Sequence, residues 1–445
     1  MTRRIGPRQS LGFARQAAFG TENTTDGDFT YFEAEMSAPV DLVRNIQDYS
    51  PSKSQVGANA PRLAGSKHGG TFTLKYPMRA LIKTYDGGAG GGGVAVLGTT
   101  DGQISMEFLL LGNAWGSAGS GSVAAATDFT KGKHLSVSAG IQNDVTGGTA
   151  ATAEVADATV YKEGQMWVSM AGTQDDNPAV AWIKTATAGT TVTFTESVEA
   201  AEAPAATDDS FDTAVAYVSE GDRVPLTFRV LGNNAGFKGA YIGCTATETR
   251  IALGAGDLWW TEIDFMYTNR TDYAAGGGLQ EPDDFFISPA LLGDDGGRMI
   301  YGAAGTATEV NSLGFKDMEL KVSWPTHDIM DINASQGVGE ILNVLPEITL
   351  TAKIPLAHND PITNGEDPYE TILTTEARRS FQFSSGQEAG EMTSLYLGGM
   401  QLKEMPKRVW DEDVEYYDCM WEAGELDNET GTDAPANNLC RLGVA

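Results

Sequence analysis

Cysteine is scarce in this chain, with 3 in 445 residues. Cys244, Cys419 and Cys440 fit no zinc spacing, and their odd count excludes a fully paired disulfide framework. They read as reduced, partly buried small residues of a chain made in a cytoplasm. Histidine is nearly as rare, at His68, His134, His327 and His358. "HDIMD" and "HND" set acids beside two of them, which in an acidic chain is the composition of turns more than of a metal centre. No GxxxxGK[ST], HExxH, CxxC or EF-hand pattern is present. "GAGGGG" (88–93) lacks the strand and helix that would make such glycines a pyrophosphate cradle. Nothing therefore argues for an enzyme or a cofactor. Long hydrophobic runs are missing too. "FLLL" (108–111) is among the longest and falls far short of the roughly 20 apolar residues of a membrane-spanning helix, so no membrane is expected. The basic opening "MTRRIGPRQSLGFARQAAFG" has no hydrophobic stretch of its own, and no secretory signal is expected there.

Positive charge is the last shortage. Thirty Lys and Arg face sixty Asp and Glu, a formal charge of −30. Tight grip on phosphates needs clustered cations, so nucleic acid enters only as something to be repelled. The imbalance is uneven along the chain. Arg3, Arg4, Arg8 and Arg15 precede the first acid, Glu22, whereas residues 411–433 hold ten carboxylates and no base. The ends read as solvated tails or, more sharply, as a basic arm that docks on an acidic neighbour.

What the chain does have is glycine, 53 residues of it, and short alternating runs rich in aromatic and β-branched residues. These predict β structure with many turns. In "GGTFTLKYPM" the side chains of Phe72, Leu74, Tyr76 and Met78 share one face and those of Thr71, Thr73, Lys75 and Pro77 the other, the two-residue period of a half-buried strand. From 115 to 222 the texture shifts to Ala, Gly, Thr and Ser. A small inserted β-sandwich or decorated loop region is expected there, with "ESVEAAEAPAATDDS" (196–210) as its linker back. "DPYETILTTEARRS" (367–380) is the one segment with a helical pattern.

The strand "TFTLKYPM" (71–78) recurs as "TLTAKIPL" (349–356), with Thr, Thr, Lys and Pro at the same four places. "YIGC" (241–244) recurs as "YLGG" (396–399), and Phe228 falls on Phe383 at the same offset. "SAPVDL" (37–42) resembles "SWPTHDI" (323–329) with a gap. The two offsets are 278 and 155 residues, so the first copy holds 123 more between these landmarks. The odd stretch 115–222 lies there and has about that length. The chain reads as two copies of one β module, the first interrupted.

With that duplication, "GFARQAAFGTENT" followed by "FTYFEAEM", then "GGTFTLKYPM", then "YLGGMQLKEMPKRVWDEDVEYYDCMWEAG", the chain resembles the tail tube proteins of long-tailed bacteriophages outside the insertion. The resemblance implies a mainly β fold. It would hold two β-sandwich or barrel modules, each with a flanking helix, whose inner sheets join those of neighbouring modules into a closed barrel. Rings stack into a hollow conduit for double-stranded DNA. The two-module kind forms trimers with pseudo-sixfold symmetry. The implied layout is an arm (1–30), a first module (31–114 and 223–275) around the insertion (115–222), a linker (276–298), a second module (299–423) and a tail (424–445). Implied partners are other copies of the chain, the tape measure, tail terminator and tail-tip proteins, and DNA that passes without specific binding. The location would be the virion tail, assembled in the host cytoplasm.

An acidic lumen would let DNA slide, and its expected carboxylates are Asp411, Glu412, Asp413, Glu415, Glu262 and Asp264. Arg3, Arg4, Arg8, Arg15, Lys75 and Lys353 are expected at contacts between modules or rings. Two other readings stand beside this one. The first is a capsid decoration or tail-tip protein. The second is an extracellular carbohydrate-binding or carbohydrate-cleaving β protein using Trp259, Trp260 and Trp410 as sugar platforms.

Overall fold

The computed structural model describes residues 9–25, 29–32, 34–37, 44–48, 62–67, 69–78, 84–85, 95–96, 141–142, 145–161, 163–171, 178–186, 189–198, 200–211, 213–218, 225–232, 238–253, 258–271, 298–303, 308–309, 316–330, 338–343, 346–355, 378–387, 392–411, 414–423 and 440–444. The fold is mainly β, built from antiparallel sheets of which one curls into half of a barrel.

The first module begins with β1 (Gln9–Arg15), β2 (Thr30–Phe32) and β3 (Glu35–Met36), then a hairpin of β4 (Arg44–Asp48) and β5 (Arg62–Lys67), then β6 (Gly70–Pro77). The pair β7 (Thr84–Tyr85) and β8 (Ala95–Val96) brackets the glycine-rich run. Residue 9 is thus already in a strand: β1 lies antiparallel to β17 (Leu226–Gly232), where a free arm was expected. The apolar residues of β1, Leu11 and Phe13, are buried in the core, which is what ties this terminus down.

Two layers make up the module. An outer sheet runs β2–β1–β17–β18–β20, with β18 spanning Lys238–Leu253 and β20 spanning Asn269–Thr271. An inner sheet runs β3–β6–β19–β18, with β19 spanning Trp260–Tyr267. The 16-residue β18 belongs to both. Its first half pairs in the outer sheet and its second half in the inner one. The passage occurs at Gly243, where φ is +68° and the ladder to β17 shifts by a bulge. A β-carbon there would collide with the Thr268 hydroxyl. Between the layers Phe72 sits 5.3 Å from Phe228 and 5.4 Å from Phe265, centroid to centroid. Each such buried ring contributes roughly 1.5–3 kcal/mol.

The second module repeats this plan in the same order. It comprises β21 (Arg298–Ala303), β22 (Thr308–Glu309) and β23 (Lys316–Ser323), the hairpin β24 (Thr326–Met330) with β25 (Val338–Asn343), β26 (Glu347–Pro355), β27 (Arg379–Ser385), β28 (Thr393–Leu402), β29 (Lys407–Asp411), β30 (Val414–Ala423) and β31 (Cys440–Val444). Its outer sheet is β22–β21–β27–β28–β31. Its inner sheet is β23–β26–β30, closed by the end of β28 and by β29. Gly399, φ +62°, takes the bend.

Registers match strand for strand. Leu74 faces Ile263 as Ala352 faces Cys419, and Ala246 faces Phe265 as Leu402 faces Trp421. The strand echo at 278 residues is therefore exact in the ladder, whereas the "YIGC" echo is one residue out of register. The bulges occupy Ile242–Gly243 and Gly398–Gly399, so Tyr241 corresponds to Leu397 and Phe228 to Phe381. Ser37, whose amide donates to the Thr73 carbonyl, takes the place of Glu319 rather than that of Ser323. The expected helix falls outside the described residues except for its end: Arg379 and Ser380 open β27.

The insertion folds separately. Its strands are β9 (Ile141–Gln142), β10 (Val145–Thr149), β11 (Thr152–Val155), β12 (Met166–Met170), β13 (Ala179–Ala186), β14 (Thr191–Phe194) and β15 (Asp209–Phe211), ordered β10–β11–β14–β13–β12–β15–β9. Trp167, Tyr161 and Phe194 centre a core of its own. Although it interrupts the first module in sequence, it docks on the second. Trp182 donates to the Ser394 hydroxyl at 3.2 Å, the Gln382 amide donates to the Val180 carbonyl at 2.8 Å, and Arg298 pairs with the buried Glu202 at 2.7 Å.

Arg441 of β31 is fully buried with its guanidinium 4.4 Å from the Tyr396 ring and 5.0 Å from that of Trp182. The returning strand β16 (Ala214–Tyr217) pairs with β31 and widens the second outer sheet. The stretch read as a linker is thus an anchor, with Glu196 and Glu202 buried. The end of the chain read as a tail is also an interior strand, since all five residues of β31 are buried.

Gly243→Ala forces a side chain into a left-handed backbone against Thr268, and a cost of about 1–3 kcal/mol is expected. Gly239→Ala meets nothing nearer than 3.6 Å and serves as the control. Denaturant unfolding of both variants checks this: a large downward shift in midpoint for the first and little change for the second.

Candidate functional site: a charged sheet face and its open edge

The inner strands of both modules join side by side, β18 against β23, with Glu248 facing Ser323 and Leu253 facing Met318. The result is one eight-stranded sheet, β3–β6–β19–β18–β23–β26–β30–β29. One face packs on the core through Leu74, Ile263, Ile251, Leu320, Leu350 and Trp421, all fully buried. The other face carries charge, because strict alternation puts every second residue there.

Those charges form a lattice that crosses the strands. Lys75 on β6 pairs with Glu262 on β19 at 2.9 Å. Arg250 on β18 reaches three carboxylates, Glu248 at 2.6 Å, Asp264 at 2.8 Å and Glu262 at 3.2 Å. Glu248 also takes Lys321 of β23 at 2.8 Å, so the network passes from one module to the other. Lys353 on β26 holds Asp317 at 2.6 Å and Asp411 at 3.2 Å. Lys407 pairs with Glu404 at 2.9 Å, and Asp418 stands opposite it on β30.

Hydrogen bonding follows the same logic. Burial raises the Glu248 carboxyl, yet hydrogen bonds from Lys321 and Arg250 outweigh it and hold the group below its usual 4.5. Lys353 is held above its ordinary value by hydrogen bonds to Asp317 and then Asp411. Pairs this open to water are screened and add little stability. Their larger effect is to occupy the cations.

Of the expected acids, Glu262, Asp264 and Asp411 lie on this face and belong to the lattice. Glu415 does not: it alternates with Tyr416 and Asp418 on β30, falls on the opposite side, and lies 3.8 Å from Arg408. Glu412 and Asp413 are outside the described residues, as are Arg3, Arg4 and Arg8. Arg15 ends β1, opposite Leu226. Lys75 and Lys353 take equivalent places on the charged face, each engaged with carboxylates of its own chain.

Glu248, Arg250 and Lys321 were missed by sequence reasoning. Their signal was alternation in "ATETRIALG" and "MELKVSW", which shows a polar face without showing which strand lies beside which. The three tryptophans do not stand open together. Trp259 is buried, Trp260 lies beneath Lys75 at 5.2 Å, and Trp410 alone is open, at 73% exposure.

The three cysteines are buried, and burial pushes the Cys419 thiol up to about 12 and that of Cys244 well above its ordinary value. Among the described residues no group of His, Cys, Asp and Glu is placed to hold a metal, and no helix is long and apolar enough to cross a membrane. Compared with known proteins, the chain matches no family model and no curated sequence.

Because the Glu248 carboxyl is depressed in the folded state, its contribution to stability is present above its unfolded value and is lost as pH falls through the folded one. Thermal unfolding of Glu248→Gln beside the parent chain tests this. The midpoint difference is expected to be largest near neutrality and to close below about pH 4; a difference constant with pH would contradict it.

Proposed function

We propose that this protein is the tail tube subunit of a long-tailed bacteriophage, a two-module chain that assembles as trimeric, pseudo-hexameric rings stacked into a conduit for DNA. One observation carries the reading. Two modules of identical strand order each contribute four strands to a single curled sheet, whose outward face carries ion pairs on both modules and across the seam between them. Three such half-barrels completing a circle would line a channel with that face. Among its described cations, Lys75, Arg250, Lys321, Lys353 and Lys407 are each already held by a carboxylate. A phosphate backbone moving past would meet carboxylates and neutralised bases, and counterion release would give it little grip. Ring closure also pairs strand edges that would otherwise invite aggregation.

Negative-stain microscopy of the purified protein at rising concentration tests the proposal. Rings about six modules around, stacking into hollow tubes, are the expected result. Discrete oligomers that never stack would favour a capsid decoration or tail-tip role, and persistent monomers would count against both.

A further inference from the structure

We infer that the outer edge of β29 is the docking site for the β3 edge of a second copy of this chain, with Trp410 seated against Met36 of that copy. The inference deepens the reading above. It rests on assembly with other copies but not on what passes through the ring.

The argument is the repeat itself. In the first module the strand corresponding to β29 is the second half of β18. Arg250 and Lys407 stand opposite Glu262 and Asp418, the residues that face the repeated Lys75 and Lys353. By the same register Ile251 corresponds to Arg408, Ala252 to Val409 and Leu253 to Trp410. Inside the chain that edge is covered: β23 pairs with it, and Ile251 and Leu253 are buried to 0% and 1% exposure. In the second module no described strand pairs with the outer edge of β29, and Trp410 is 73% exposed, the most open large apolar side chain among those described.

The other half of the joint is present at the opposite end of the sheet. β3 pairs with β6 as β23 pairs with β26: Glu35 faces Lys75 as Lys316 faces Lys353. One extra residue is taken up in a bulge at Asp317, where φ is +51°. Met36 then occupies the position of Met318, and both pack half-buried against the core. Since Leu253 faces Met318 across the internal joint, Trp410 faces Met36 across the external one, and Val409 faces Ser37. No described strand covers β3 on that side.

The edges at the two ends of the sheet are complementary, not identical, so the contact is head-to-tail and closes on itself only as a ring. The occupant is thus another copy, because the chain already contains the same joint once. Tryptophan is the side chain expected to dominate such a contact, with a polarizable thioether as a good neighbour.

Two sets of variants test this. In Met36→Cys combined with Trp410→Cys, mild oxidation of assembled protein should give covalent oligomers up to a closed ring on non-reducing gels, and neither single variant should. The three native cysteines are buried and do not compete. Trp410→Glu should raise the concentration needed for assembly at least tenfold by sedimentation velocity, with the thermal midpoint of the monomer unchanged. Assembly into tubes by the Trp410→Glu chain, with no cross-linking in the double-cysteine chain, would overturn the joint and leave the tube reading standing. Cross-linked closed rings that never stack would uphold the joint and sink the tube reading. A wild-type chain that stays monomeric at every concentration would overturn both.

Discussion

A β-strand with an empty edge leaves its amides and carbonyls without partners, and much of this molecule is arranged around that constraint. Each module on its own would expose two inner-sheet edges. Joining the modules in one chain removes one edge from each, by laying β18 against β23 with the Ile251 and Leu320 side chains fully buried at the seam. The outer sheets have their faces covered. Beside the first module, Phe29 stacks on the buried Arg229 with its guanidinium 3.6 Å from the ring centroid. On the second, the insertion covers the sheet and β16 continues it past β31.

The long strand β18 is what lets one hydrophobic core serve both layers. A single left-handed glycine turns it from outer to inner sheet, so the aromatic rings around Phe72 pack between the layers without a loop to pass through. The same bend recurs at Gly399. Because the layers share a strand, the charged face of the inner sheet is held in register with the core beneath it. The ion pairs then need contribute little stability of their own. Their value lies in where they stand, across four strands and over the seam between modules.

The insertion shows how chain order and packing can part company. It enters and leaves through the first module, yet its tightest polar contacts are with the second: Trp182 to Ser394, Gln382 to Val180, Arg298 to Glu202. Arg441, buried against Trp182 and Tyr396, is expensive to desolvate, and burial pushes its pKa down while Tyr396 and Glu196 pull it back up. A buried cation of this kind ties position more than it adds stability. It fixes the insertion against one module of two otherwise equivalent ones.

Alternation of apolar and polar residues made the strands legible from the letters alone, because a side chain on a pleated strand has only two directions to choose from. The duplication was legible too, since an identical Thr-Thr-Lys-Pro face survived while the core face changed from one hydrophobe to another, Phe72 to Leu350, Leu74 to Ala352 and Tyr76 to Ile354. The letters misled at the bend between the layers. "YIGC" and "YLGG" look aligned, but both modules carry the same bulge, at Ile242–Gly243 and Gly398–Gly399, and matching the ladders around it sets Tyr241 on Leu397. Composition misled at 196–210 and at the end of the chain, where small and acidic residues suggested solvated connectors and the structure buries Glu196, Glu202 and all of β31. What the sequence determined by itself was the period, face and repeat of the strands, all local properties of neighbouring residues. Which strands lie side by side, and therefore that Glu248, Arg250 and Lys321 meet while Glu415 turns away, depended on contacts between residues far apart in the chain, and only the tertiary structure decided it.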